Sequence, residues 1–356
     1  MKKILYICPD DDRPIGGTKQ VYRHVDILAR AGLAAFVVHE TAPFRCSWFP
    51  NETPIVYSGP ALPGLFRQLW DRWAGHDGRP VPPPLELGAE LAPAHGQQSL
   101  CLEPDDVLVV PEFYGRSLAG FAPGVRKVVF NQNAYYTFQH LSLAGDTCRL
   151  YDDREVLAAL VVSADSERYL RFAFPDLPVA RIRQGVDTAK FCPARKRRQI
   201  ACMPRKRRED LVQIVHVLRA RGSLGRYDLA VIDNVTEDEV ARVLGESLIF
   251  LSTSHREGFG LPPAEAMAAG CVVIGYHGGG GREFFQDGFC RPVEDGDVVA
   301  FVGAIEQTMR DFEREPEAVL ARGRAASAFV REHYALEHEA KDVVAFWTRS
   351  LEARRW

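Results

Sequence analysis

Glu257 and Glu265 lie eight positions apart in the stretch REGFGLPPAEAMAAG, residues 256–270. Gly258, Phe259, Gly260, Leu261 and two prolines fill the space between them. Carboxylates accept hydrogen bonds from hydroxyls, and glycine lets the backbone come close to a ligand. Pro262 and Pro263 suit the first turn of a helix and not its interior, so a helix starts near 262, and Gly270 is suited to stop it. Glu265 then falls in the first turn, while Glu257 precedes the glycines at the end of a strand. The helix start attracts an anion such as a phosphate. An anionic middle with hydroxyls at both ends describes a nucleotide sugar, with Glu257 at the sugar and Glu265 at the ribose. The plain alternative is that Glu265 only complements the helix dipole and Glu257 is solvated.

The elements around this loop predict an open parallel sheet. KKILYIC, LAAFVVHE, DDVLVVPE and RKVVFNQN read as strands, and QVYRHVDILARAG as a helix stopped by Gly32. A seam falls near 185–195. Beyond it, EDLVQIVHVLRARG and TEDEVARVLGES read as helices and YDLAVID, LIFLSTS and CVVIGY as strands. Helices alternating with parallel strands place ligands at the carboxyl ends of those strands. Glu257 sits at such an end. Residues 59–98, rich in proline and short amphipathic pieces, predict an irregular excursion, and the tail is helical in composition.

The bulk numbers exclude several classes. At 356 residues and 46% hydrophobic, the chain can bury a core in each of two domains. A net charge of -3 favours no nucleic-acid partner. The eight cysteines form no CxxC pair and no zinc-ligand spacing, and Cys8 and Cys271 lie in apolar runs. Free buried thiols in a reducing, cytoplasmic compartment are expected. The short apolar run at the N-terminus is followed at once by acids, which argues for a strand and against a signal peptide. No stretch of about 18 apolar residues predicts a membrane span. A dehydrogenase would need G-x-G-x-x-G, which DRPIGGTKQ does not supply.

Residues 248–285 resemble the donor-site signature of group 1 (family 4) glycosyltransferases. QGVDTAKFCP (184–193) is similar to that family's domain-seam segment, IGGTKQ (15–20) to its first glycine loop, and VVSADS (161–166) to a strand end that often carries serine. The resemblance implies an α/β chain of GT-B fold, two Rossmann-like domains facing a central cleft. The expected layout is an acceptor-side domain at 1–190, a nucleotide-sugar domain at 191–335, and a helix at 336–356 crossing back to the first domain. It implies a retaining transfer from a nucleotide-sugar donor to a glycan, lipid-linked saccharide or small molecule, with no cofactor and no metal. A catalytically silent nucleotide-binding module and a sugar-nucleotide epimerase are the rival readings on the same fold.

The same resemblance assigns roles. Glu257 acts with cations from the segment MPRKRRED, where Arg205 fits the family's arginine. Lys206 fits its lysine, with Arg207 or Arg208 as alternatives. Gly258, Phe259, Gly260, Leu261 and Glu265 hold the donor, with Gly16 and Gly17 after the first strand. Backbone around Asp233–Thr236, centred on Asn234, meets the base. Gly278–Gly281 with Glu283 resembles a G-G-x-x-E segment, where Glu283 is either a site residue or a helix cap. Asn133 and Tyr135 line the acceptor side, where many relatives carry histidine, and His140 is close by. The run at 195–198 is read as solvated. Arg349, Arg354, Arg355 and Trp356 leave open a peripheral contact at the inner membrane face or ordinary ion pairs. The sugar, base, acceptor and oligomeric state are not readable.

Overall fold

The computed structural model describes residues 2–58, 90–93, 100–112, 122–139, 141, 143, 151 and 154–352. His140, Arg354, Arg355, Trp356 and, apart from 90–93, the excursion at 59–98 lie outside the described residues. The chain divides into two compact units, 1–162 with 166–182 and 340–356, and 163–165 with 183–339. The sequence reading put its boundaries at 190/191 and 335/336.

The first unit is built on nine described strands: β1 Ile4–Ile7, β2 Ala35–His39, β3 Ile55–Tyr57, β4 Glu90–Pro93, β5 Leu100–Cys101, β6 Val107–Pro111, β7 Arg126–Asn131, β8 Val156–Val161 and β9 Val179–Arg181. Their order is β5-β4-β3-β2-β1-β6-β7-β8-β9. All pairs are parallel except those of β4, which runs antiparallel to β3 and β5. β1 and β6 are buried along their whole length, as continuous apolar strands covered on both faces must be. Helix α1, Gly16–Arg30, follows β1, and α2, Ala164–Ala173, follows β8. The order reverses between β1 and β6, so the carboxyl ends of those two strands mark a topological switch point. Trp347, in the part of the last helix that belongs to this unit, is fully buried, and its indole N–H donates to Tyr6 Oη at 3.1 Å.

The second unit holds β10 Arg197–Cys202, β11 Asp228–Val231, β12 Ser247–Glu257, β13 Val272–Gly279 and β14 Arg291–Pro292, all parallel, in the order β11-β10-β12-β13-β14. Its helices are α3 Arg208–Ala220, α4 Glu237–Glu246, α5 Leu261–Ala268, α6 Val298–Arg314 and α7 Pro316–Tyr334, and α8, Leu336–Glu352, carries on into the first unit. Here the order reverses between β10 and β12.

The basic run at 195–198, expected to be solvated, is exposed at Arg195, Arg197 and Arg198 but not at Lys196. Lys196 Nζ donates to the carbonyls of Leu244 and Ala269, at the C-terminal ends of α4 and α5. Those ends leave carbonyls short of partners, and the half-buried ammonium bonds to both while meeting the negative pole of each helix. Arg197 pairs with Glu246 at 3.2 Å and Arg198 with Glu313 at 2.8 Å. Cys8 and Cys271 are buried free thiols, both pushed up by burial. No helix among the described residues is long and apolar enough to cross a membrane.

Candidate active site

The switch point of the second sheet brings two loops together. β10 and β12 run side by side with Cys202 opposite Leu251, so the loop after β10 and the end of β12 emerge at the same edge. Thr253 Oγ1 donates to the carbonyl of Lys206 at 2.8 Å and fastens that loop to β12. Lys206 Nζ then stands 3.7 Å from Glu257 Oε1, with the two side chains 39% and 24% exposed. Burial pushes the Glu257 carboxyl above the usual carboxylate range, and Lys206 and then Arg205 work against that rise.

The four cations offered by the sequence separate. Arg207 has a left-handed backbone, φ 43°, and precedes α3. Its guanidinium donates to Asp295 at 3.1 Å and to His255 Nδ1 at 3.0 Å, and lies 3.7 Å from Asp210. That charge is committed to the loop after β14. Arg208 is an exposed first residue of α3. Arg205 and Lys206 are the two whose charge reaches Glu257.

Gly260, at φ 96° and ψ 66°, turns the chain from β12 into α5, with no side chain capping the helix. The backbone conformation requires glycine. Pro262 and Pro263 carry no N–H, so the donors this turn can offer an anion come from residues 258–261. Phe259 is 3% exposed, and its ring packs on Phe284 at 5.1 Å and Tyr334 at 5.3 Å. It anchors the turn, and only its backbone is left to meet a ligand. Glu265 is half-buried and, because α5 already starts at Leu261, falls in the second turn and not in the first as expected. Asn234 lies in the exposed loop after β11 with a left-handed φ of 52°.

The second glycine run is not a turn into a long helix. β13 continues to Gly279, and residues 280–283 make one 3-10 turn. Gly280 lies against the first turn so closely that a Cβ there would meet Gly258 O at 2.1 Å. Glu283 accepts from the Ala164 N–H at 2.7 Å and the Tyr334 hydroxyl at 3.0 Å, a structural role. His277 was not singled out from the sequence, yet its Nδ1 accepts the Gly279 N–H at 2.9 Å.

Gly16, Gly17, Asn133 and Tyr135 belong to the first unit. The glycines open α1 after β1. Asn133 Oδ1 accepts from the Tyr135 N–H at 3.1 Å and caps the 3-10 turn 134–136. Gln132 Nε2 donates to Gly17 O at 3.2 Å, joining the two loops. Below them lies Glu112, 4% exposed, which also escaped the sequence reading. Its carboxylate accepts the backbone N–H groups of Gln132 at 3.2 Å and Asn133 at 3.1 Å. A cavity of about 180 Å³ between Val272, Arg291 and Val319 contains none of these residues.

Residues 224–323 match the family described as Glycosyl transferases group 1. That span includes Asn234, Glu257–Leu261, Glu265 and His277 and stops short of Arg205 and Lys206. An alpha-1,6-glucosyltransferase of Actinobacillus pleuropneumoniae is 29% identical over 213 residues, 57% of this chain and 61% of that protein. The match therefore spans about three-fifths of that relative's length. Sucrose-phosphate synthase of Thermosynechococcus elongatus superposes with a TM-score of 0.66 at 16% identity, covering 99% of this chain and 100% of that one. HepE of Anabaena, solved with UDP-glucose, superposes with a TM-score of 0.65 at 12% identity over 98% of this chain and 100% of that one. At such identities the superpositions show the fold alone. Residues 224–323 are thus similar to the group 1 glycosyltransferases, and the fold of the chain is GT-B.

Proposed function

We propose that this chain is a retaining glycosyltransferase, moving a sugar from a nucleotide diphosphate sugar to a hydroxyl of a glycan or lipid-linked acceptor without a metal. The observation that carries the reading is Lys206 beside Glu257 at the switch point of β10 and β12. A half-buried carboxylate next to cations, at the edge where open sheets take ligands, suits a substrate with hydroxyls next to a diphosphate.

In this reading Glu257 accepts hydrogen bonds from the sugar, and Glu265 takes the ribose. Arg205 and Lys206 meet the diphosphate, together with backbone N–H groups from 258–261, and Asn234 lies on the base side. The sugar C1–oxygen bond to the diphosphate breaks while the acceptor oxygen bonds to C1 on the same face. The acceptor proton leaves with the diphosphate. Negative charge grows on the departing group, and the fixed cations and N–H dipoles stabilise it. The carboxyl ends of β1 and β7 in the first unit, with Gly16, Gly17, Asn133 and Tyr135, are the proposed acceptor platform. A lipid-linked acceptor would place the enzyme on the inner, cytoplasmic membrane face.

HepE was solved with UDP-glucose, so uridine donors come first in the test. A panel of UDP, GDP, dTDP and ADP is read by thermal shift, then sugar donors by hydrolysis and transfer, with the product anomer identified by NMR. A nucleotide at a hundred times its Kd stabilises by about 2.7 kcal/mol, and Glu265→Ala should weaken that response. Turnover abolished by Glu257→Ala supports transfer, whereas nucleotide binding without turnover on any donor points to a silent module. An epimerised donor in the absence of acceptor points to an epimerase.

A further inference from the structure

We infer that His277 is the positioning residue that holds the second glycine turn against the first, so that sugar donor binds only while its imidazole is neutral. The inference rests on the donor reading of the Glu257 loop and adds a regulator to it.

The geometry runs through three residues. β13 pairs with β12 with His277 opposite Ser254 and Gly279 opposite Glu257, across a register slip. Gly279 adopts φ 89° and ψ -78°, a conformation that L side chains rarely take. The N–H of that residue is accepted by His277 Nδ1 at 2.9 Å. The bond requires a bare Nδ1, hence the neutral ring protonated on Nε2. A proton on Nδ1 would set two N–H groups head to head. The next residue, Gly280, is packed on Gly258 O and Phe259 N without room for a methyl group. A Gly279 that moves therefore pushes the 258–260 turn, whose N–H groups are the proposed diphosphate donors.

The surroundings favour the neutral ring. Burial holds His277 below the usual imidazole range, and Arg282 on its own loop adds to this. Asp295 and Glu294 after β14 and Asp165 of the 163–165 segment oppose it. Asp295 is paired with Arg207, and Asp165 lies 3.8 Å from Arg282, so neither acid faces the ring as an unshared charge.

The test measures UDP-glucose and GDP-mannose affinity of the full chain by calorimetry between pH 5 and 8. Both probes are diphosphate diesters, which carry no phosphate titrating in that window. For wild type, affinity should fall on acidification, approaching tenfold per pH unit below the ring's titration. His277→Asn supplies an amide oxygen where Nδ1 stood and does not titrate, so it should hold its affinity at acid pH. His277→Ala should bind about fivefold more weakly at pH 8, the worth of one neutral hydrogen bond. Any titration of Glu257 is common to all three proteins, so the difference between wild type and His277→Asn reports the ring. An H277N profile that falls in step with wild type, or an H277A affinity equal to wild type at pH 8, overturns the assignment. A wild type that binds neither probe at pH 8 overturns the functional reading itself, and the role of His277 falls with it.

Discussion

The backbone of Gly280 lies against the carbonyl of Gly258, so that a Cβ at 280 would come within 2.1 Å of that oxygen and 2.6 Å of Phe259 N. Both contacts are with backbone, which cannot swing aside as a side chain can. Gly280→Ala must therefore displace one glycine turn from the other, at about 1–3 kcal/mol of stability by the usual cost of overpacking. Nucleotide-sugar affinity should fall with it. Gly288→Ala is the control, because nothing lies within 4 Å of its Cβ position. Urea denaturation and calorimetry on the two variants give the comparison, and equal behaviour would remove the claim that the two turns are interlocked.

Lys206 offsets the burial of Glu257, and the sign of its effect on stability follows. An acid whose folded pKa lies above its unfolded value binds its proton more tightly in the fold. Stability is then lost as pH rises from the unfolded pKa through the folded one. Lys206→Met removes the counterweight and lets the Glu257 carboxyl rise further. The variant should match wild type most closely near pH 4 and lose relative stability toward pH 8. Lys206 is 39% exposed, so solvent screening holds the difference to about 1 kcal/mol or less. Adding Glu257→Gln should flatten the pH dependence. Turnover responds differently: with one cation gone from the departing diphosphate, kcat should fall on the order of 10²-fold. A K206M enzyme with wild-type kcat would place the diphosphate elsewhere.

Lys196 ties α4 and α5 to the strand that leaves the seam. Lys196→Met keeps the length of the side chain and takes the ammonium from the Ala269 carbonyl, while Leu244 O keeps the Ser247 N–H and the Cys271 thiol. The expected loss is about 1–3 kcal/mol, the cost of an unsatisfied buried acceptor. Arg195→Ala, one position away and exposed, should change stability by less than about 0.5 kcal/mol. Equilibrium unfolding separates the two, and equal effects would mean that the run is solvated after all.

What the sequence disclosed was what neighbours along the chain decide. The apolar runs of β1 and β12 and the proline pair ahead of α5 each act within a few residues, and the structure places α5 at Leu261–Ala268 where a helix starting near 262 was expected. The glycine loop and its acids were legible for the same reason. Arg207 stood as an alternative to Lys206 until Asp295, 88 positions away, was found to hold it. Lys196 read as solvated because the carbonyls it meets lie 48 and 73 residues further on. Phe259 read as a donor contact, but Tyr334 and Phe284 close around its ring. Glu112 and His277 gave no local signal, since both act on backbone N–H groups, which leave no mark in side-chain identity.

Glu112 lends itself to a direct pH test. Among the described residues its carboxyl has no cationic partner, and burial pushes it up to about 7 against the pull of three backbone N–H donors, its own and those of Gln132 and Asn133. The folded value lies above the unfolded one, so the protonated form favours the fold. Wild type should lose stability between about pH 4.5 and 7 and then level off, by about 3 kcal/mol if the whole shift is realised. Glu112→Gln cannot titrate and still accepts one of the N–H groups of Gln132 and Asn133, so its stability should stay level across that interval where wild type declines. Because Gln132 bridges from this carboxyl to Gly17 O, amide exchange at 132–135 and at 16–18 should follow the same titration in wild type and lose it in the variant. Urea unfolding at pH 5 and pH 8, with hydrogen exchange at the same points, reads both. Parallel pH curves for wild type and E112Q would show that the carboxyl titrates alike in the folded and unfolded chain, and that burial does not hold its proton.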